Sequence, residues 1–303
     1  MAAFQHEREQ FEDQLREAGE HLREANDEIN RRAKRPLLSA ILSGLVLGGV
    51  AILGLIFPVV FAVFCVVLVS LAALELATAL RDSGRRVPRI PLAILTAAIV
   101  VASFWFGAWW HWVAFLLASA LLVVWRIVEL AAPRLRGSLR TVAADIGAGI
   151  FVLGYVAFLA SFVSLLIAQP DGPRWVLGFL LIVVLIDTAA YGVGLTLGRH
   201  PMAPRVSPGK SWEGFAGGAA VALIAGVLVA WLLLGQPWWF GLILGAVLLA
   251  TATIGDLAES LIKRDLGVKD MSSWLPGHGG VLDRIDSIIF SGAATYALYL
   301  LAH

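Results

Sequence analysis

Charge is scarce in this chain of 303 residues: Asp, Glu, Lys and Arg make up 15% of it and hydrophobic residues 59%, with a mean hydropathy of +0.83. That composition excludes an ordinary water-soluble domain, and apolar runs of bilayer length point to an integral membrane protein. Period-two alternation of polar and apolar residues is missing as well. The runs are continuous, so they suit helices that satisfy their own backbone groups in lipid, and a β-barrel is excluded. Cys65 is the single cysteine and lies inside an apolar run, which rules out an intramolecular disulfide and leaves it a packing role. The first 36 residues are polar and lack the short apolar core of a cleavable signal peptide, so the first span is expected to act as the insertion signal. No complete GxxxxGK[ST] spacing occurs, and no convincing internal repeat divides the chain.

Nine spans are expected, over residues 37–56, 59–80, 90–109, 112–130, 142–168, 175–198, 215–234, 238–261 and 285–302, the first two separated by little more than Gly54 and Pro58. Basic residues give an independent test, because positive loops stay cytoplasmic. With the N-terminus inside, all of the 23 Lys and Arg residues except Arg174 fall on one side. The expected fold is therefore an all-α integral membrane protein with a cytoplasmic N-terminus, an outer C-terminus and a polar cavity facing the cytoplasm. Its regions are a cytoplasmic arm (1–36), N-terminal transmembrane helices (37–170) and a C-terminal catalytic region (171–303). In the arm, Phe4, Phe11, Leu15, Ala18, Leu22, Ala25 and Ile29 follow a heptad-like series broken by Arg8, which predicts an amphipathic helix suited to self-association or surface docking.

Ionisable groups within spans are costly and mark functional candidates unless they pair or snorkel. Glu75, Arg126, Glu129 and Asp145 lie near cytoplasmic ends, where structural roles are expected. Asp187 lies twelve residues before Arg199, roughly 18 Å below the helix end at 1.5 Å per residue, and so requires a partner or a water-filled cavity. In GDLAESLIKR, Asp256, Glu259, Ser260 and Lys263 share one helical face. Asp283 and Asp286 are again three apart, and carboxylates converging from separate helices suit a hard cation such as Mg²⁺. Between these helices PGHGG, Pro276 to Gly280, offers flexible backbone and amides near a helix N-terminus, a combination that favours phosphate. Lys263, Arg264, Lys269, His278 and Arg284 add positive charge, so metal-holding and phosphate-holding groups meet as phosphoryl or nucleotidyl transfer requires. A second basic turn, SPGKSWEG from Ser207 to Gly214, carries Lys210 and by itself is a weak signal.

The run S-x-x-K-R, then K-D, then P-x-H-G-G-x-x-D-R-x-D over residues 260–286 resembles the signature of the phosphatidate cytidylyltransferases, or CDP-diacylglycerol synthases. DTAAY (187–191), SPGKSWEG and GDLAES (255–260) are similar to family segments in the same order. The resemblance covers about the last 120 residues; the earlier spans match only as generic helices. It implies transfer of CMP from CTP to phosphatidic acid with Mg²⁺ and room for a second cation, within a bacterial cytoplasmic membrane. On this resemblance Asp256, Asp283 and Asp286 form the metal centre, with Asp187 and Glu259 as further candidates. Lys263, Arg264, His278 and Arg284 would hold CTP phosphates or pyrophosphate, assisted by the Gly279 and Gly280 amides. Ser207, Lys210, Ser260 and Lys269 complete the substrate contacts. Gly209 departs from the family pattern, in which a basic residue often precedes the lysine. The partners implied are CTP, phosphatidic acid, membrane lipids and a second copy of the chain, and no nucleic acid. Two alternatives are a cytidylyltransferase for another lipid phosphate and a cation-coupled transporter. A noncatalytic scaffold is a third, and it would tolerate loss of the acids.

Overall fold

The structure, a computed structural model, describes residues 44–132, 137–272, 274 and 279–303. The expected arm helix lies outside them, as do Arg134, Arg136, Pro276 and His278. The described elements run α1 (Gly44–Ile56), α2 (Pro58–Asp82), α3 (Arg89–Phe106), α4 (Ala108–Glu129), α5 (Leu139–Ile167) and α6 (Gly172–Leu197). A hairpin of β1 (Pro201–Ala203) and β2 (Ser207–Ser211) follows, then α7 (Trp212–Leu233), α8 (Trp238–Asp265) and α9 (Leu282–Ala302). Eight helices, α2 to α9, are long and apolar enough to cross a membrane, and the chain is an integral membrane protein. α1 is the described part of the first expected span.

Local chemistry sets the boundaries. Pro58 stands in the first turn of α2, where its missing N–H removes no helical bond, and Gly84 follows the helix with φ +94°. Gly107 alone separates α3 from α4, with φ +80°, a conformation that glycine adopts without steric penalty. This corrects the third expected span: Trp109 belongs to α4. Hydropathy misses the corner because FWFGAWWHW stays apolar through it. Residues 153–158 of α5 and 229–233 of α7 widen into π-helical turns.

α2, α3 and α4 pack in chain order, and α5 lies against all three. α6 to α9 also pack each on the next, and α9 reaches back to α5, α6 and α2. Where α7 meets α8 the backbones touch: a Cβ on Gly226 would come 2.3 Å from Gly241 O, and one on Gly245 2.3 Å from Ala222 O. Ile94, Leu116, Val184 and Leu232 are exposed, as lipid-facing side chains must be. Exposed tryptophans gather at the α3–α4 corner (Trp105, Trp109, Trp110, Trp112) and the α7–α8 corner (Trp231, Trp238, Trp239). Alternation of the spans puts this aromatic belt at the ends opposite the arginines.

Arg126 knits the other end together. Its Nη2 donates to Asp145 Oδ2 at 2.9 Å, with the two side chains 2% and 1% exposed, and its Nη1 lies 3.3 Å from Glu129 Oε2. The Arg86 amide donates to Asp145 Oδ1 at 3.0 Å. These groups tie the α2–α3 turn to α4 and α5, the structural role their positions suggested.

Candidate active site

A cavity of about 420 Å³ opens between α6, the hairpin, α7, α8 and α9. It brings together eight of the residues singled out from sequence: Asp187, Lys210, Asp256, Glu259, Lys263, Asp283, Arg284 and Asp286. Tyr191, Ser211, Thr253, Asp270 and Ser287 also line it and were not among the candidates. Ser207, Ser260, Arg264, Lys269, Gly279 and Gly280 fall outside the lining, and His278 lies outside the described residues.

The hairpin delivers Lys210. The segment expected as a simple basic turn is in fact strand β2, paired antiparallel with β1 through Pro201↔Ser211 and Ala203↔Ser207. Glu213 clamps its base by accepting from the Arg199 and His200 amides, and its Oε1 lies 2.5 Å from His200 Nδ1. Ser211 caps α7 by accepting from the Gly214 amide at 3.1 Å. Arg264 Nε donates to Val206 O at 3.1 Å, so this arginine braces the hairpin from α8. Lys210 Nζ thereby reaches Asp256 Oδ2 at 2.5 Å.

On α8 the expected shared face is present. Lys263 Nζ lies 2.6 Å from Glu259 Oε2 and 2.9 Å from Asp283 Oδ1, joining two carboxylates from different helices. Ser260 Oγ donates to Asp256 Oδ1 at 3.4 Å. Asp283 Oδ2 accepts from the Gly280 amide at 2.9 Å and the Met271 amide at 3.3 Å, so both oxygens of Asp283 are engaged by protein donors. This corrects the expectation for Gly280: its amide binds Asp283 and is not offered to a phosphate. Asp286 is placed by close contact, since a Cβ on Gly255 would lie 2.3 Å from Asp286 O. Asp187, Asp256 and Asp286, from three helices, are near enough for their charges to repel one another. Asp187 is solvent-accessible although it lies well inside α6, which meets its need for a wet cavity.

Glu75 has a different place from the one its sequence position suggested. It is 1% exposed and accepts from the Ser272 hydroxyl, from the Val281 amide at 2.8 Å and from the Leu282 amide at 2.8 Å. The signal in the sequence was an acid set within an apolar run; its partners lie in the signature segment.

No three His, Cys, Asp or Glu side chains among the described residues are grouped to enclose an ion. The donor set nevertheless suits Mg²⁺, which keeps several waters and binds through one or two carboxylates plus substrate phosphates rather than a complete protein cage. Asp187, Asp256 and Asp286 offer hard oxygens around one water-accessible space.

Comparison with known proteins finds similarity over most of the chain. The family model described as the cytidylyltransferase family matches residues 38–302. The phosphatidate cytidylyltransferase of Mycobacterium leprae (strain TN) is 37% identical over 283 residues, covering 89% of this chain and 89% of the relative. That of Mycobacterium bovis is 37% identical over 276 residues, covering 89% and 90%. That of Brucella suis is 43% identical over 155 residues, or 49% of this chain and 54% of the relative.

Proposed function

Because this chain belongs to the cytidylyltransferase family, we infer that it transfers CMP from CTP to phosphatidic acid, giving CDP-diacylglycerol and pyrophosphate for phospholipid synthesis. The observation that carries the reading is one cavity in which Asp187, Asp256 and Asp286 face Lys210, Lys263 and Arg284.

In this reaction an oxygen of the lipid phosphate bonds to the α-phosphorus of CTP. The bond from that phosphorus to the α,β-bridging oxygen breaks, and its electron pair leaves with pyrophosphate. The attacking oxygen is already anionic near neutral pH, so no side chain has to remove a proton. The barrier is the meeting of two anions, and catalysis consists of holding them in line and offsetting their charge. Lys210, Lys263 and Arg284 supply the positive charge. Lys263 is held for that task by Glu259 on its own helix and Asp283 on the next. Asp187, Asp256 and Asp286 are the groups that would hold Mg²⁺, which when bound neutralises phosphoryl oxygens as a Lewis acid. Asp283 and Glu259 instead serve Lys263. Arg264 supports the hairpin rather than the phosphates.

The cavity lies at the helix ends that also carry Arg81, Arg85, Arg86 and Arg126, and the bias of basic residues to cytoplasmic loops supports a cytoplasmic opening, where CTP is available. The test is formation of CDP-lipid and pyrophosphate from CTP, phosphatidic acid and Mg²⁺ by purified protein in detergent, beside Asp286→Asn. Magnesium-dependent product that disappears in the variant is expected. A folded wild type that makes no CDP-lipid overturns the reading.

A further inference from the structure

We propose that Glu75, a residue of the N-terminal half, is a positioning residue for the transfer reaction: it sets the start of α9 and, through Asp283, the ammonium of Lys263. The proposal rests on the function inferred above.

A helix N-terminus presents backbone N–H groups without intrahelical partners, and a carboxylate satisfies them and complements the helix dipole. Such caps usually come from the chain just before the helix. Here the group arrives from α2, 206 and 207 residues away from the amides it accepts, which belong to Val281 and Leu282. Each carboxylate oxygen takes one amide at 2.8 Å, and Oε1 also takes the Ser272 hydroxyl. All three donors lie in the segment between the acids of α8 and those of α9.

The next carboxylate along completes the arrangement. Asp283 Oδ2 takes the Gly280 and Met271 amides, and its Oδ1 is left facing Lys263 Nζ at 2.9 Å. Gly280 is wedged between the two acids: a Cβ there would lie 2.9 Å from Asp283 Oδ2 and 3.1 Å from Glu75 Oε2. Glu75 touches no lining residue of the cavity through these bonds, so any effect on turnover passes through the helix start. A buried acid that merely stabilised the fold would not need its Ser272, Val281 and Leu282 donors to come from this one segment. Arg126 and Asp145 supply the contrast, since their ion pair joins α4 to α5.

The test compares Glu75→Gln, Ser272→Ala and Asp145→Asn with wild type in detergent. Turnover with CTP and phosphatidic acid is measured per folded molecule, together with melting temperature and hydrogen exchange at Val281 and Leu282. Glu75→Gln keeps the shape but turns an amide NH₂ toward backbone donors. Its kcat is expected to fall roughly tenfold to hundredfold, the equivalent of one or two charge-assisted hydrogen bonds. Exchange at Val281 and Leu282 should rise in parallel. Ser272→Ala should change both in the same direction by less, and its effect should vanish in the Glu75→Gln background. Asp145→Asn should lower the melting temperature and leave kcat unchanged. Wild-type kcat in Glu75→Gln, with an active wild type, overturns the proposal. An inactive wild type instead removes the functional reading, and unchanged exchange would then dispose of the cap as well. Should Glu75→Gln not fold, Ser272→Ala and Gly280→Ala decide: wild-type turnover in both overturns the proposal, and reduced turnover in both supports it.

Discussion

Lys210 reaches from the hairpin to place its ammonium 2.5 Å from Asp256 on α8, so the most mobile type of cationic side chain is tethered to a carboxylate that also faces the cavity. A Mg²⁺ ion held by Asp256, as proposed above, would compete with this lysine for one acid.

Opposite effects on rate and on metal requirement should follow in Lys210→Gln. Loss of a charged contact to phosphate should reduce kcat/KM by roughly tenfold to hundredfold. Half-saturation by Mg²⁺ should shift to lower concentration, because Asp256 is freed from the ammonium. Initial rates across a Mg²⁺ series check both.

Removing one of three mutually repelling acids should trade activity for stability. Asp187→Asn is expected to lower turnover and to raise the melting temperature of the metal-free protein, since repulsion with Asp256 and Asp286 is relieved. Thermal melts with and without Mg²⁺ make the comparison, and a variant that melts below wild type in chelator counts against this account of the acids.

Gly255→Ala forces a Cβ to within 2.3 Å of Asp286 O, a collision with backbone that cannot swing aside. Overpacking of this kind costs about 1–3 kcal/mol and should displace Asp286 as well. Gly147→Ala, where nothing lies within 4 Å, is the matched control and should leave melting and turnover at wild-type levels.

Chelation should abolish CDP-lipid formation, and added Mg²⁺ should restore it. Wild-type turnover in the presence of excess chelator would remove the metal role assigned to Asp187, Asp256 and Asp286.

The spans were legible because lipid imposes a simple rule on composition, and Pro58 and the i, i+3 acids are local signals of the same kind. Spacing put Asp256 on one face with Glu259 and paired Asp283 with Asp286, and the family resemblance joined Asp256 to Asp286. The features that escaped are those whose cause is distant in sequence. The three-residue and five-residue strands of the hairpin have no pattern of their own; Glu213, Arg264 and Asp256 hold them from neighbouring elements. Asp283 and Asp286 look equivalent by spacing. They differ because Asp283 is turned onto the Gly280 and Met271 amides, which helix periodicity does not encode. Gly107 turns the chain inside an unbroken apolar run, where hydropathy has nothing to register.

Glu75 also sets a schedule for synthesis. Leu282, whose amide it accepts, is made 207 residues later, which at about 5–20 residues per second is a wait of roughly 10–40 s. Throughout that interval α2 sits in or beside the bilayer with an acid whose partners do not yet exist, a state that lipid penalises. Arrival of the last helix ends it. A chain cut short before α9 therefore lacks the Val281 and Leu282 amides that this carboxylate accepts, and keeps a buried acid without them near its beginning.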